Sequence, residues 1–253
     1  MERDFLPLNN TNFLRPDKNC PPHCPKSAGR GALGPDFYIV ILNTRTMQKL
    51  DLKKQLATLY NQPAGRISIV DVPAAQYLMI DGEGNPNTAP AYAEALEVLF
   101  SLSYTLKFMV KKGPDPVDYG VMPLEGLWWT DDMSQFSADN KDIWKWTAMI
   151  RQPDFITPEL VREASAQLER KKGAELPACS RIRLESMTEG VSAQILHLGP
   201  YSAEAPTIQK LHDFIHANGY ELHGKHREIY LNDARRTAPE KLKTIIRQPM
   251  RKS

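Results

Sequence analysis

Apolar residues recur at helical spacing through Leu96, Leu99, Leu102, Leu106 and Met109, which predicts a helix over about 90–111. A shorter stripe, Ile208, Leu211 and Ile215, predicts a second over about 205–217, with Asn218-Gly219 as its stop. Between them, about 158–172 reads as a third, with Thr157 as N-cap and Pro158 in first position. Arg170, Lys171 and Lys172 complement its C-terminal end before Gly173. Alternating or continuous apolar runs predict strands near 68–80, 117–130, 143–152, 190–198, 224–232 and 242–249.

The order of these elements repeats. Ile150-Arg151-Gln152-Pro153 returns as Ile246-Arg247-Gln248-Pro249, and both copies read as terminal strands stopped by proline. Pro123-Leu124-Glu125-Gly126-Leu127-Trp128 parallels His226-Arg227-Glu228-Ile229-Tyr230-Leu231. Tyr77-Leu78-Met79-Ile80-Asp81-Gly82 parallels Gln194-Ile195-Leu196-His197-Leu198-Gly199. The offset between copies shrinks along the chain, as it should if the first copy carries longer loops. The expectation is an α+β fold of two β-α-β-β modules, about 66–153 and 182–250, related by a pseudo-two-fold axis. The helix over about 158–172 links them, and a central ligand cleft lies between them.

Period-two alternation selects the cleft residues. Ile229 and Leu231 point together, so His226, Glu228 and Tyr230 share the other face. If Ile229 and Leu231 pack under the helix, Glu228 is presented to the cleft with Tyr230 beside it. Glu125, Leu127 and Trp129 share a face in the first copy, with Trp128 opposite. One glutamate from each copy is thereby expected near the pseudo-axis. All four tryptophans fall between 128 and 146, so Trp128, Trp129 and Trp146 are expected to line the same hollow. Aromatic walls around a half-buried carboxylate suit a flat apolar ligand, particularly a cation. A carboxylate in such surroundings should have a raised pKa and can act as general base or acid.

Composition narrows the classes. The chain has 253 residues, 42% hydrophobic and 25% charged, with a net charge of +2. That balance argues against a nucleic-acid binder. The run Phe37-Tyr38-Ile39-Val40-Ile41-Leu42 is too short to span a bilayer. Three cysteines give no disulfide framework, so a cytoplasmic setting is expected. Residues 1–46 carry Pro7, Pro16, Pro21, Pro22, Pro25 and Pro35 with Gly29, Gly31 and Gly34, and are expected to be an irregular, disordered extension before a body at 47–253. Within it Cys20-Pro21-Pro22-His23-Cys24 lacks the fourth ligand of a structural zinc site, so no metal is expected. Nothing matches a dinucleotide or phosphate loop, and no cofactor is expected.

Taken together, the segments Tyr77–Asn87, Pro123–Trp128, Met149–Phe155, Leu196–Tyr201 and His226–Arg235 resemble the GyrI-like small-molecule-binding family, in its stand-alone two-module branch. The resemblance covers about 48–250 and implies duplicated SHS2 modules around an aromatic cleft. In relatives joined to transcription regulators a cleft glutamate meets hydrophobic cations, and the matching Glu-x-Tyr is Glu228 and Tyr230. Some stand-alone members hydrolyse cyclopropanoid DNA-alkylating compounds. That implies detoxification with Glu228 activating water, Tyr230 bonding the carbonyl oxygen that gains charge, and the indoles of Trp128, Trp129 or Trp146 sandwiching the ligand. Glu125 is then a partner acid or a residue that only holds the axis together, and Tyr104 and Phe155 are further expected ligand contacts. A module that sequesters drugs or modulates gyrase without turnover is the alternative. The expected state is a monomer or homodimer with a hydrophobic or cationic small molecule as partner.

Overall fold

The computed structural model describes residues 47–137, 140–172 and 177–253. The expected extension over 1–46, including Cys20, His23 and Cys24, therefore lies outside the described residues. In chain order the strands are β1 (Gln48–Leu50), β2 (Ile67–Val72), β3 (Ala75–Glu83), β4 (Val117–Tyr119), β5 (Leu124–Trp129), β6 (Lys145–Arg151), β7 (Arg183–Met187), β8 (Gly190–Leu198), β9 (Tyr220–Leu222), β10 (His226–Tyr230) and β11 (Lys243–Lys252). The helices are α1 (Leu52–Gln55), α2 (Ala57–Tyr60), α3 (Pro90–Lys112), α4 (Pro158–Lys172) and α5 (Ala205–Ala217).

One large antiparallel sheet organises the molecule in the order β2-β8-β11-β10-β5-β6-β3-β7, with β9 added to the end of β11. A separate parallel pair joins β1 to β4. The main order is unchanged when β2, β3, β5 and β6 are exchanged for β7, β8, β10 and β11, with the β5–β10 pair at the centre. β2 and β3 are separated only by Pro73-Ala74, and β7 and β8 only by Thr188-Glu189. The pairing Val72 opposite Gly190 resumes in register as Ala75 opposite Met187, so these four segments act as two long antiparallel strands. Because β3 also pairs with β6 and β8 with β11, the path of strands closes on itself, giving the sheet an inner and an outer face.

Side-chain alternation fills the two faces differently. Outward, Leu78, Ile80 and Ile150 pack with Val98, Leu99 and Leu102 of α3. Ala193, Ile195 and Ile246 pack with Leu211 and Ile215 of α5. Thr157 caps α4, its Oγ1 accepting from the Leu160 N–H at 3.3 Å. Inward, Arg227 and Arg247 are fully buried. The short helix α2, which the apolar pattern does not announce, lies against this inner face. Tyr60 donates to Glu125 at 2.7 Å, Arg247 donates to the Leu59 carbonyl at 2.7 Å, and Gln194 donates to the Thr58 carbonyl at 2.9 Å.

Two expectations change. Pro249 does not end β11, which runs on to Lys252 and pairs there with β9. The proline lacks a donor, but its carbonyl still accepts from the His223 N–H at 2.9 Å. The helices also cover the face opposite to the one expected: Glu228 and Tyr230 lie under them, while Ile229 shares the inner face with Arg227.

Candidate functional site

Register decides what meets at the centre of the sheet. Glu228 is opposite Gly126, and His226 is opposite Trp128. The absent side chain at 126 leaves room beside the carboxylate, and the Trp128 indole lies across that gap. A Cβ at 126 would come within 2.6 Å of Trp128 Nε1 and 2.9 Å of its Cε2. Gly82 has the same relation to the indole of Trp146, its partner on β6. Gly126→Val should therefore displace the Trp128 ring, cost about 1–3 kcal/mol of stability by overpacking, and weaken ligand binding. Chemical denaturation and a tryptophan-quenching titration would measure the two effects.

Rings from both halves surround Glu228. Tyr92 of α3 lies 5.6 Å from Trp128 and stands edge-on to Trp146 at 4.9 Å. Trp144 is 5.6 Å from Trp128 and stacks on Phe136 at 4.7 Å, and Phe136 reaches to 5.9 Å from the His226 ring. Tyr201 stands edge-on to Tyr230 at 5.5 Å. The connection between β5 and β6 thus contributes Phe136, Trp144 and Lys141 over a carboxylate carried by the second half.

The Glu228 side chain is 12% exposed and both of its oxygens are engaged. Oε1 lies 3.3 Å from His226 Nε2, and Oε2 accepts from the Tyr230 hydroxyl at 2.6 Å. Burial pushes this carboxyl up. The bond and charge of His226, the Tyr230 bond and the charge of Lys141 outweigh burial and hold it below the usual carboxylate range. The raised pKa expected from an aromatic pocket is thus reversed by its donors. Tyr230 and Tyr92 are raised by burial first and then by the Glu228 charge, so both keep their protons.

Glu204, the residue before α5, is a buried second carboxyl that the sequence did not single out. Burial first, and then the Glu228 charge, push it far above the usual carboxylate range. An acid just ahead of a helix is normally solvated there, so nothing in its sequence context signals burial. Site polar atoms without a hydrogen-bond partner among the described residues include Glu204 Oε1, Thr244 Oγ1 and the indole nitrogens of Trp128 and Trp146. Such unpaired groups suit a site that a ligand completes. An ionised carboxylate, a protonated one and flat apolar walls can hold a planar guest and move a proton.

Other expected residues sit elsewhere. Glu125 lies on the inner face, bonded to Tyr60 and Arg227. The pairing sets Glu228 opposite Gly126 rather than Glu125, and one residue of register exchanges the faces. Trp129 also points away from Glu228 and carries the Lys225 ammonium 3.2 Å above its ring. Tyr104 projects from the outer side of α3, beside Phe108 and Met109, into a groove of about 500 Å³ against α4. The helix turns Tyr92, Leu99, Leu102 and Leu106 inward and leaves Tyr104 out. Phe155 packs edge-on to Tyr119 at 5.6 Å, apart from the Glu228 cluster.

Residues 66–251 match the GyrI-like small molecule binding domain. The chain belongs to this family. An uncharacterized conserved protein of Listeria innocua is 36% identical, with 80% of this chain and all of that chain covered at a TM-score of 0.74. A hydrolase of the same organism is 35% identical, with 81% and 100% covered at a TM-score of 0.72. A further Listeria innocua hydrolase structure is 36% identical, with 80% and 100% covered at 0.69. No curated protein is similar enough to this chain to match it. Among the described residues no helix is long and apolar enough to cross a membrane, and no group of three or more His, Cys, Asp or Glu side chains is arranged to hold a metal.

Proposed function

We propose that this protein takes flat hydrophobic or cationic compounds between the rings of its two halves and hydrolyses electrophilic, cyclopropanoid ones by adding water. One observation carries the reading: Glu228 is held ionised inside an aromatic cluster, with both oxygens fixed by His226 and Tyr230. The Listeria innocua hydrolase, similar over its whole length, supports turnover rather than binding alone.

In the proposed step Glu228 takes a proton from water as the water oxygen bonds to a ring carbon. The strained carbon–carbon bond breaks and its electron pair moves through the conjugated system to the carbonyl oxygen. That oxygen gains a proton from solvent and Glu228 releases its own, so the net change is addition of one water. Trp128 and Trp144 hold the plane of the guest. Tyr230 already donates to Glu228, which makes it a positioning residue rather than the donor to the substrate oxygen. Ring strain lowers the demand on the protein, so orientation and one base suffice.

The test is liquid chromatography–mass spectrometry of a cyclopropanoid compound incubated with the protein. A product heavier by one water, formed over many turnovers, supports hydrolysis. Compound recovered intact alongside stoichiometric tryptophan quenching would instead establish a sequestering module.

A further inference from the structure

Each Glu228 oxygen already accepts one bond, from His226 or from Tyr230, and keeps one further lone pair for water or a guest. Glu204 differs. It neighbours Glu228, is 5% exposed, and keeps Oε1 without a hydrogen-bond partner among the described residues. A buried carboxyl with an unpartnered oxygen, next to an ionised one, does not stay charged unless a cation is supplied. The charged neighbours give limited relief. Lys141 comes from the β5–β6 connection, and His226 is engaged with Glu228. Tyr92, Tyr201 and Tyr230 face the pair as neutral hydroxyls. His212 of α5 is kept neutral by burial and by the charges of His226 and His216, its pKa pushed down to about 4.

We propose that Glu204 makes this site a proton-for-cation exchanger. A flat ligand bearing a fixed positive charge enters against Glu204 and Glu228 with loss of the Glu204 proton, whereas a neutral ligand of the same shape enters with that proton retained. The surrounding rings favour both guests by area and the cation by its attraction to their faces. The upward push on Glu204 from burial and from Glu228 agrees with this assignment. The inference rests on the proposed small-molecule site at Glu228 but not on hydrolysis, and it stands even if no compound is turned over.

Isothermal titration calorimetry with N-methylquinolinium and with neutral quinoline tests it, each run at pH 7.5 in phosphate and in Tris. The observed enthalpy should differ between buffers for the cation by about one released proton per site and should not differ for quinoline. Affinity for the cation should rise by about tenfold per pH unit between pH 6 and 8, because the raised Glu204 must ionise on binding. Glu204→Gln should abolish the proton release and flatten the pH dependence while quinoline binding persists. Failure of the cation to bind, binding without proton release, or release that persists in Glu204→Gln would each overturn the proposal, the last placing the proton on a group other than Glu204. Should Glu204→Gln not fold, release that survives in His226→Gln keeps the assignment to Glu204, and release lost there overturns it.

Discussion

Arg227→Met should lower folding stability by about 3–5 kcal/mol, the cost of stripping the partner from a buried ion pair. The guanidinium is fully buried on the inner face of the closed sheet. Its Nε donates to Glu125 Oε2 at 2.8 Å, and Nη2 bonds both that oxygen and, at 2.9 Å, the Tyr77 hydroxyl. Its Nη1 reaches Glu189 at 2.5 Å. Methionine fills most of the volume but leaves Glu125 with only Tyr60, and leaves Glu189 to Arg247 at 3.5 Å. A urea titration should show the fall as a lower midpoint. The double variant Arg227→Met with Glu125→Leu should recover much of the loss, because removing both charges also removes the unpaired one. If the double variant were as unstable as the single one, the loss would come from packing around residue 227 and not from the stranded carboxylate.

The same network shows why some of the molecule was legible in advance and some was not. Helices α3, α4 and α5 follow from apolar spacing and end signals that act within a few residues, so their bounds agree closely with expectation. Alternation also puts Glu228 and Tyr230 on one face of β10, but that Trp128 and Trp146 lie on that face depends on register, which sets Glu228 opposite Gly126 and Trp128 opposite Trp146. Which face the helices cover was not legible, because His226, Glu228 and Tyr230 read as the polar side of β10 until their burial partners are known. Arg227 and Arg247 reverse the usual sign, two guanidiniums lying inside because Glu125, Glu189 and Gln194 meet them there. Those partners come from distant strands. Glu204, Phe136 and Trp144 depend likewise on how connections fold back over the sheet, which no local pattern encodes. The internal resemblance paired Glu125 with Glu228, and the ladder differs from that by one residue, enough to put the two glutamates on opposite faces.

Glu228→Gln should lower turnover of a cyclopropanoid compound by about 10²–10⁴-fold, the usual contribution of a positioned general base, with quinoline affinity nearly unchanged. Glutamine keeps the shape and can still meet Tyr230 and His226, so the loss would report the missing base and not a collapsed site. The pH profile adds a second readout. Glu228 sits below the usual carboxylate range, so turnover in the unaltered protein should persist into mild acid and fall only as pH drops through that lowered value. Tyr230→Phe removes a 2.6 Å donor that favours the ionised form. The Glu228 pKa must then rise, and the acid limb of the profile should move to higher pH. If Tyr230→Phe lowers the rate equally at every pH with the limb unmoved, Tyr230 acts on the substrate oxygen and not through Glu228. The two roles are thereby separable, because only a group that works through the carboxylate can change the pH at which that carboxylate is lost.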